Sequence, residues 1–263
     1  PDYLERFLME EWVARRVNSA HVLKAGIQTR KRNYLYTTTE YIEGQTLKQW
    51  MLDNPKPSLE AVRVIIEQVA KGLRALHRMD ILHQDIKPDN IMIDPSGTVK
   101  IIDFGSARVA GIVEASPRGD QSDILGTALY TAPEYFLGDT GTSRSDLYSL
   151  GVLTYHMLSG RFPYGTQVSK SRTPAAQKKL NYNSILDEDR EIPAWIDETL
   201  KKALQPNPYK RYETLSEFIF DLRQPNTAFL NKSRPPLIER NPVLVWQGIS
   251  ALLTCIIIYL LSR

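Results

Sequence analysis

The chain has 263 residues, 42% hydrophobic and 24% charged, a balance that supports a sizeable core and excludes a disordered or low-complexity polypeptide. Its 33 basic and 30 acidic residues leave a net charge of +3, too mild to point to nucleic acid. One cysteine and four scattered histidines (His21, His77, His83, His156) exclude a disulfide framework and a Cys-rich zinc module. Residues 1–18 read as a helix, with Phe7, Glu10, Ala14 and Val17 on one face. A carboxylate at Glu10 on that mostly apolar face calls for a cationic partner, whereas Glu11 shares its side with Arg15 and Asn18. Residues 33–42 are rich in β-branched and aromatic types and are expected to form a strand. Residues 59–78 are an amphipathic helix with Val62, Ile65, Ile66, Val69, Leu73 and Leu76 on its face. Residues 91–102 place two apolar runs around Asp94-Pro95-Ser96-Gly97, a hairpin signal. With Pro95 to Thr98 as the loop, Asp94 pairs with Val99, and Asn90 falls opposite Asp103. Further helices are expected near 145–159, 194–204 and 213–222, and the order of elements suggests an α+β fold. Residues 226–242 hold three prolines and no period, and read as a linker. Residues 243–261 carry no charge over 19 residues, which as a helix span roughly 28 Å, about one hydrocarbon core. Trp246 and Tyr259 sit near its two ends, and basic residues outnumber acids before it, so a transmembrane helix with the preceding chain in the cytoplasm is expected.

Residues 83–90 read His-Gln-Asp-Ile-Lys-Pro-Asp-Asn, residues 103–105 Asp-Phe-Gly, and residues 132–134 Ala-Pro-Glu. Alone, the Asp-Phe-Gly triplet means little. Three motifs in this order and at these distances resemble the eukaryotic-type (Hanks-type) serine/threonine protein kinase family, bacterial membrane-anchored kind. The resemblance covers residues 1 to about 223. It implies a two-lobed α+β kinase fold over 1–225, which the linker read at 226–242 and the transmembrane helix expected at 243–261 would follow. It also implies ATP and Mg²⁺ as cofactors, protein substrates with Ser/Thr acceptors, attachment to a lipid bilayer and residence at a bacterial inner membrane.

Carried over residue by residue, Asp85 resembles the catalytic aspartate that orients the acceptor hydroxyl, and Lys87 the lysine that steadies the γ-phosphate. Asn90 and Asp103 resemble the two metal ligands, with Asp103 also bound to the nucleotide through its metal. Glu10 resembles the helix glutamate that pairs with the ATP-orienting lysine. Glu40 and Ile42 resemble hinge residues whose backbone binds adenine, with Thr39 just before them, and Met92 joins the nucleotide pocket. His83 and Phe104 would pack. Asp146 resembles the buried aspartate that holds the catalytic loop by its backbone, and Arg211 would pair with Glu134. Lys87 with Thr127 favours serine/threonine acceptors over tyrosine or small molecules.

Two departures stand out. Gln84 occupies the place of the usual arginine, and no glycine-rich loop or ATP-orienting lysine precedes Glu10. The expectation is an incomplete N-lobe in a truncated chain that is inactive alone. The rival expectation is a catalytically inactive kinase-fold scaffold. Intact Asp85, Lys87, Asn90 and Asp103 argue against it, because a scaffold has no physical need for all four.

Overall fold

A computed structural model describes residues 2–26, 34–109, 125–186 and 192–226, and short pieces at 246–247, 250, 252–254 and 259–260. The chain divides into two units, Pro1–Gln224 and Pro225–Arg263. In the first, α1 (Asp2–Arg16) precedes β1 (Gln45–Thr46), α2 (Leu47–Asp53) and α3 (Leu59–His77). Short strands β2 (Ile81–Leu82), β3 (Ile91–Ile93), β4 (Val99–Ile101) and β5 (Arg108–Val109) follow. Then come α4 (Leu125–Ala128), α5 (Ser143–Ser159), α6 (Gln167–Lys170), α7 (Pro174–Gln177), α8 (Ala194–Ala203) and α9 (Leu215–Arg223).

The core forms around α3 and α5. Ser58 caps α3 by accepting the Ala61 N–H, and Arg74 and His77 fall in its last turn, where cations suit the helix dipole. All six residues expected on its apolar face are buried, each such burial contributing about 1.5–3 kcal/mol. That face meets α5, α9 and β4. Thr142 and Ser145 form a capping box that starts α5, and Gly160, in the left-handed region at φ 67°, ends it. Thirteen of its residues are buried, so α5 is enclosed on nearly every side. Its first turn carries Asp146 into the interior.

The hairpin differs from expectation by one residue. Ile91 pairs with Ile101, Met92 with Lys100 and Ile93 with Val99. Asp94 receives its backbone bond from neither Val99 nor its neighbours in β4; its N–H donates to the Thr98 carbonyl, and Gly97 adopts φ 82°. A three-residue loop with glycine in the left-handed position therefore replaces the four-residue one. Asn90 consequently faces Ile102, whose N–H donates to the Asn90 carbonyl at 2.9 Å. Asp103 lies one residue farther along. β1 extends the hairpin on the β3 side, with Thr46 opposite Met92.

The expected strand at 33–42 is likewise reduced among the described residues. Only Thr39 bridges, to Ala25, flanked by bonds from Gly26 to Thr38 and from Glu40 to Lys24. Tyr34, Leu35 and Tyr41 are exposed. Composition favours a strand, but among the described residues the pairing comes to a single bridge.

Most of the expected transmembrane segment at 243–261, and all of the linker after Asn226, lie outside the described residues. Among the described residues no helix is long and apolar enough to cross a membrane. The described pieces of the second unit at 246–247, 250, 252–254 and 259–260 are helical.

Candidate active site

The site is built on a loop, residues 83–90, strung between β2 and β3. Its backbone is bent at Gln84, which takes φ 66°, a conformation costly for a residue with a Cβ. The compensation comes from Asp146. One carboxylate oxygen accepts the Gln84 N–H at 2.9 Å; the other accepts the His83 N–H at 3.0 Å and the His77 ring at 2.8 Å. Burial works to raise the Asp146 carboxyl, but the His77 bond and the neighbouring charges and backbone donor hold it below the usual range. The loop is thus fixed by a buried charge whose hydrogen bonds are met.

His83 is fully buried, meets Phe104 edge-on at 5.7 Å, and is held neutral by its burial. It packs and aligns; its geometry gives it no proton to carry toward a substrate. The Gln84 side chain donates to the Thr140 carbonyl at 3.3 Å.

Beyond the bend, three expected residues converge. Asp85 Oδ2 accepts from Lys87 Nζ at 2.7 Å and from Asn90 Nδ2 at 2.9 Å. Lys87 also donates to Thr127 Oγ1 at 3.0 Å, tying the loop to α4 and so to the segment before Ala132-Pro133-Glu134. Asn90 spends its amide protons on the Asp85 carbonyl and carboxylate, which leaves its amide oxygen as the atom with which it could ligate a cation. Asp103 is exposed, takes φ 62° and accepts the Gly105 N–H at 3.1 Å, while Phe104 beside it is buried. Hard oxygens from an amide and a carboxylate fit Mg²⁺, which keeps waters and completes its shell with phosphate oxygens. Among the described residues no cluster of three or more His, Cys, Asp or Glu side chains could hold a metal by itself. A shared metal–phosphate site, and not an all-protein cage, is what this donor set suits.

Glu10 faces this end of the site from α1. Burial raises its carboxyl above the ordinary value, and the negative charge of Asp103 raises it further. Glu11 instead bonds Arg15 at 2.8 Å. On the opposite side, the Glu40 carboxylate accepts from Lys100 Nζ at 2.6 Å and from the Lys24 N–H at 2.9 Å. Burial works against that charge, yet the two lysines hold the Glu40 carboxyl below its usual range. Ile42 is partly buried and packs on the core, while Tyr41 between them is exposed. Ile91 and Ile93 turn to the core, so by strand alternation Met92 lies on the other face, shared with its cross-strand neighbour Lys100 and hence with Glu40. Lys100 and His77 are the two positioning residues that sequence reasoning missed. His77 ends a helix and carries no motif of its own. Lys100 is read from the pleat only once the register is known.

Farther out, Glu134 and Arg211 form a buried bidentate pair, 2.8 and 2.7 Å, with Arg211 also donating to the Arg144, Gln205 and Pro206 carbonyls. Ser145 Oγ donates to the same Glu134 at 2.6 Å. Such a pair fixes the segment that follows Thr127; it does not touch the loop at 83–90.

The chain matches the family described as protein kinase domain over residues 2–219. It is 30% identical over 246 residues to the serine/threonine-protein kinase PrkC of Bacillus subtilis, covering 89% of this chain and 36% of that protein. It is 34% identical over 190 residues to PknB of Mycobacterium leprae (71% and 30%), and 32% over 215 residues to PknL of Mycobacterium tuberculosis (80% and 52%). The chain thus spans about a third to a half of the length of these curated relatives. With a match of this extent, the chain belongs to the protein kinase family.

Proposed function

We propose that this chain is the catalytic domain of a serine/threonine protein kinase, using ATP and Mg²⁺ on protein substrates and tethered to a membrane through residues 243–261. The observation that carries the activity is the Asp85–Lys87–Asn90–Thr127 network. Oδ2 of Asp85 is occupied by Lys87 and Asn90, so its other oxygen would take the acceptor hydroxyl. Attack of that hydroxyl on the γ-phosphorus forms the new phosphorus–oxygen bond and breaks the bond to the bridging oxygen of the leaving ADP. The hydroxyl proton passes to Asp85. Lys87, already bridging to Thr127, offsets charge on the transferred group. Asn90 and Asp103 would hold the metal, which when bound would neutralise phosphate charge. Glu40, Ile42 and Met92 border the adenine side. The relatives' names support serine/threonine acceptors. Incubation of the full-length protein with γ-labelled ATP and a generic protein acceptor tests this: label on phosphoserine or phosphothreonine is expected, and label on tyrosine alone, or on no acceptor, counts against it.

The tether rests on 19 uncharged residues flanked by basic ones, a pattern that supports a membrane span with the kinase domain on the cytoplasmic side. Exposed Trp246, Leu252, Leu253, Tyr259 and Leu260 on helical turns support it. The protein is expected to resist extraction by alkaline carbonate, and a chain ending at Pro225 to be soluble. Release of the longer chain into the supernatant would remove the tether from this account.

A further inference from the structure

Away from the catalytic loop, a cavity of about 630 Å³ opens between the C-terminal half of α3, the start of α5 and the start of α9. Lys71, Arg74, His77 and Arg78 line it, with Ser216 and a single acid, Glu213. Arg74 donates to Ser216 Oγ at 3.0 Å. Lys71, Arg78 and Glu213 have no ion-pair partner among the described residues, and Glu213 does not neutralise the cations beside it.

The other half of the same helix is arranged differently. There Arg63 meets Glu60 at 3.6 Å, and Arg223 reaches both Glu60 and Glu67. Cations at the N-terminal half of α3 are thus matched by acids, while those at its C-terminal half gather around a concavity whose one acid, Glu213, forms no ion pair with them among the described residues. The helix dipole favours basic residues near a C-terminus, which accounts for their sign. It does not account for three of them bordering one cavity, where a concave surface concentrates their field.

We propose that this cavity is an anion site that takes a phosphate-bearing ligand, either a small soluble phosphate such as diphosphate or the phosphate of an anionic lipid headgroup. Lys71 and Arg78 supply charge, Arg74 a planar donor fork, and Ser216 a hydroxyl. His77 gives the site its place in the molecule: it lines the cavity and also donates to Asp146, which holds the backbone of His83 and Gln84. An occupant therefore sits one side chain away from the anchor of the catalytic loop.

The test reads binding, not phosphoryl transfer, so it is independent of the functional reading. Inorganic diphosphate and a short-chain phosphatidate are titrated calorimetrically into the full chain in neutral detergent. Three proteins are compared: wild type, the double variant Lys71→Gln/Arg78→Gln, and Lys170→Gln, an exposed lysine at the end of α6. The two exposed residues of the double variant can be changed without touching the core. Losing two charge-assisted contacts is expected to weaken the ligand about a hundredfold in the double variant, with Lys170→Gln unchanged. Loss of diphosphate binding identifies a soluble ligand, and loss confined to phosphatidate identifies a lipid headgroup; either upholds the site. Equal affinity of wild type and double variant for both ligands overturns it, as does an equal weakening in Lys170→Gln.

Discussion

Asp146 and Glu10 are both carboxylates turned inward from helices, and they are treated in opposite ways. Asp146 is 1% exposed, accepts three hydrogen bonds, and is held below its usual pKa. Glu10 accepts none among the described residues, meets the charge of Asp103, and is pushed above its usual pKa by burial and that charge. The first charge serves the fold: removing it leaves buried N–H groups unpaired. The second opposes the fold, and its place is explained by what a cation between Glu10 and Asp103 would gain. A protein kinase needs both, a loop that does not move and a site left short of positive charge until a nucleotide and its metal arrive.

The comparison is broken most severely at Asp146. Asp146→Ala strips three donors of their acceptor inside the core, and breaking a buried pair in this way costs about 3–5 kcal/mol. Urea unfolding is expected to show that loss. The difference from wild type should narrow in acid: a carboxyl held below its ordinary pKa stabilises the fold above the unfolded value, and that stabilisation disappears as pH falls through the folded one. A variant as stable as wild type at neutral pH would mean that the loop is held by something else.

A smaller effect of opposite sign is expected at Glu10. Its carboxyl is raised, so the folded protein is weakened at neutral pH, and the weakening is relieved as pH falls and the group protonates. Glu10→Gln should melt at a higher temperature than wild type at pH 7, and the gain should shrink in acid. In the full-length protein, phosphoryl transfer by the same variant should fall. A lower melting temperature at pH 7 would show that Glu10 is already satisfied in the folded chain.

Much of the site was legible because its chemistry is local. Asp85, Lys87 and Asn90 lie within six residues, and a loop that short brings them together whatever surrounds it. Glu10 over Glu11 was legible from helical periodicity, since Val13, Ala14 and Val17 are buried on one side of α1. The hairpin register was not. A loop of three residues and one of four differ by whether Gly97 turns left-handed, and composition alone does not decide that. His77 was also hidden, because its partner Asp146 lies 69 residues away and only the packing of α3 on α5 brings them into contact. The reduced strand at 33–42 shows the same limit, since β propensity describes a segment and pairing describes two.

Replacing Asp85 by Asn tests the central claim most directly. The change, made in the full-length protein, keeps shape and removes the carboxylate proposed to receive the acceptor's proton. The turnover rate for phosphoryl transfer at saturating ATP and Mg²⁺ is expected to fall by about 10²–10⁴-fold, with the melting temperature close to that of wild type. An unchanged turnover rate would contradict the assignment of Asp85, and with it the account of how this loop acts.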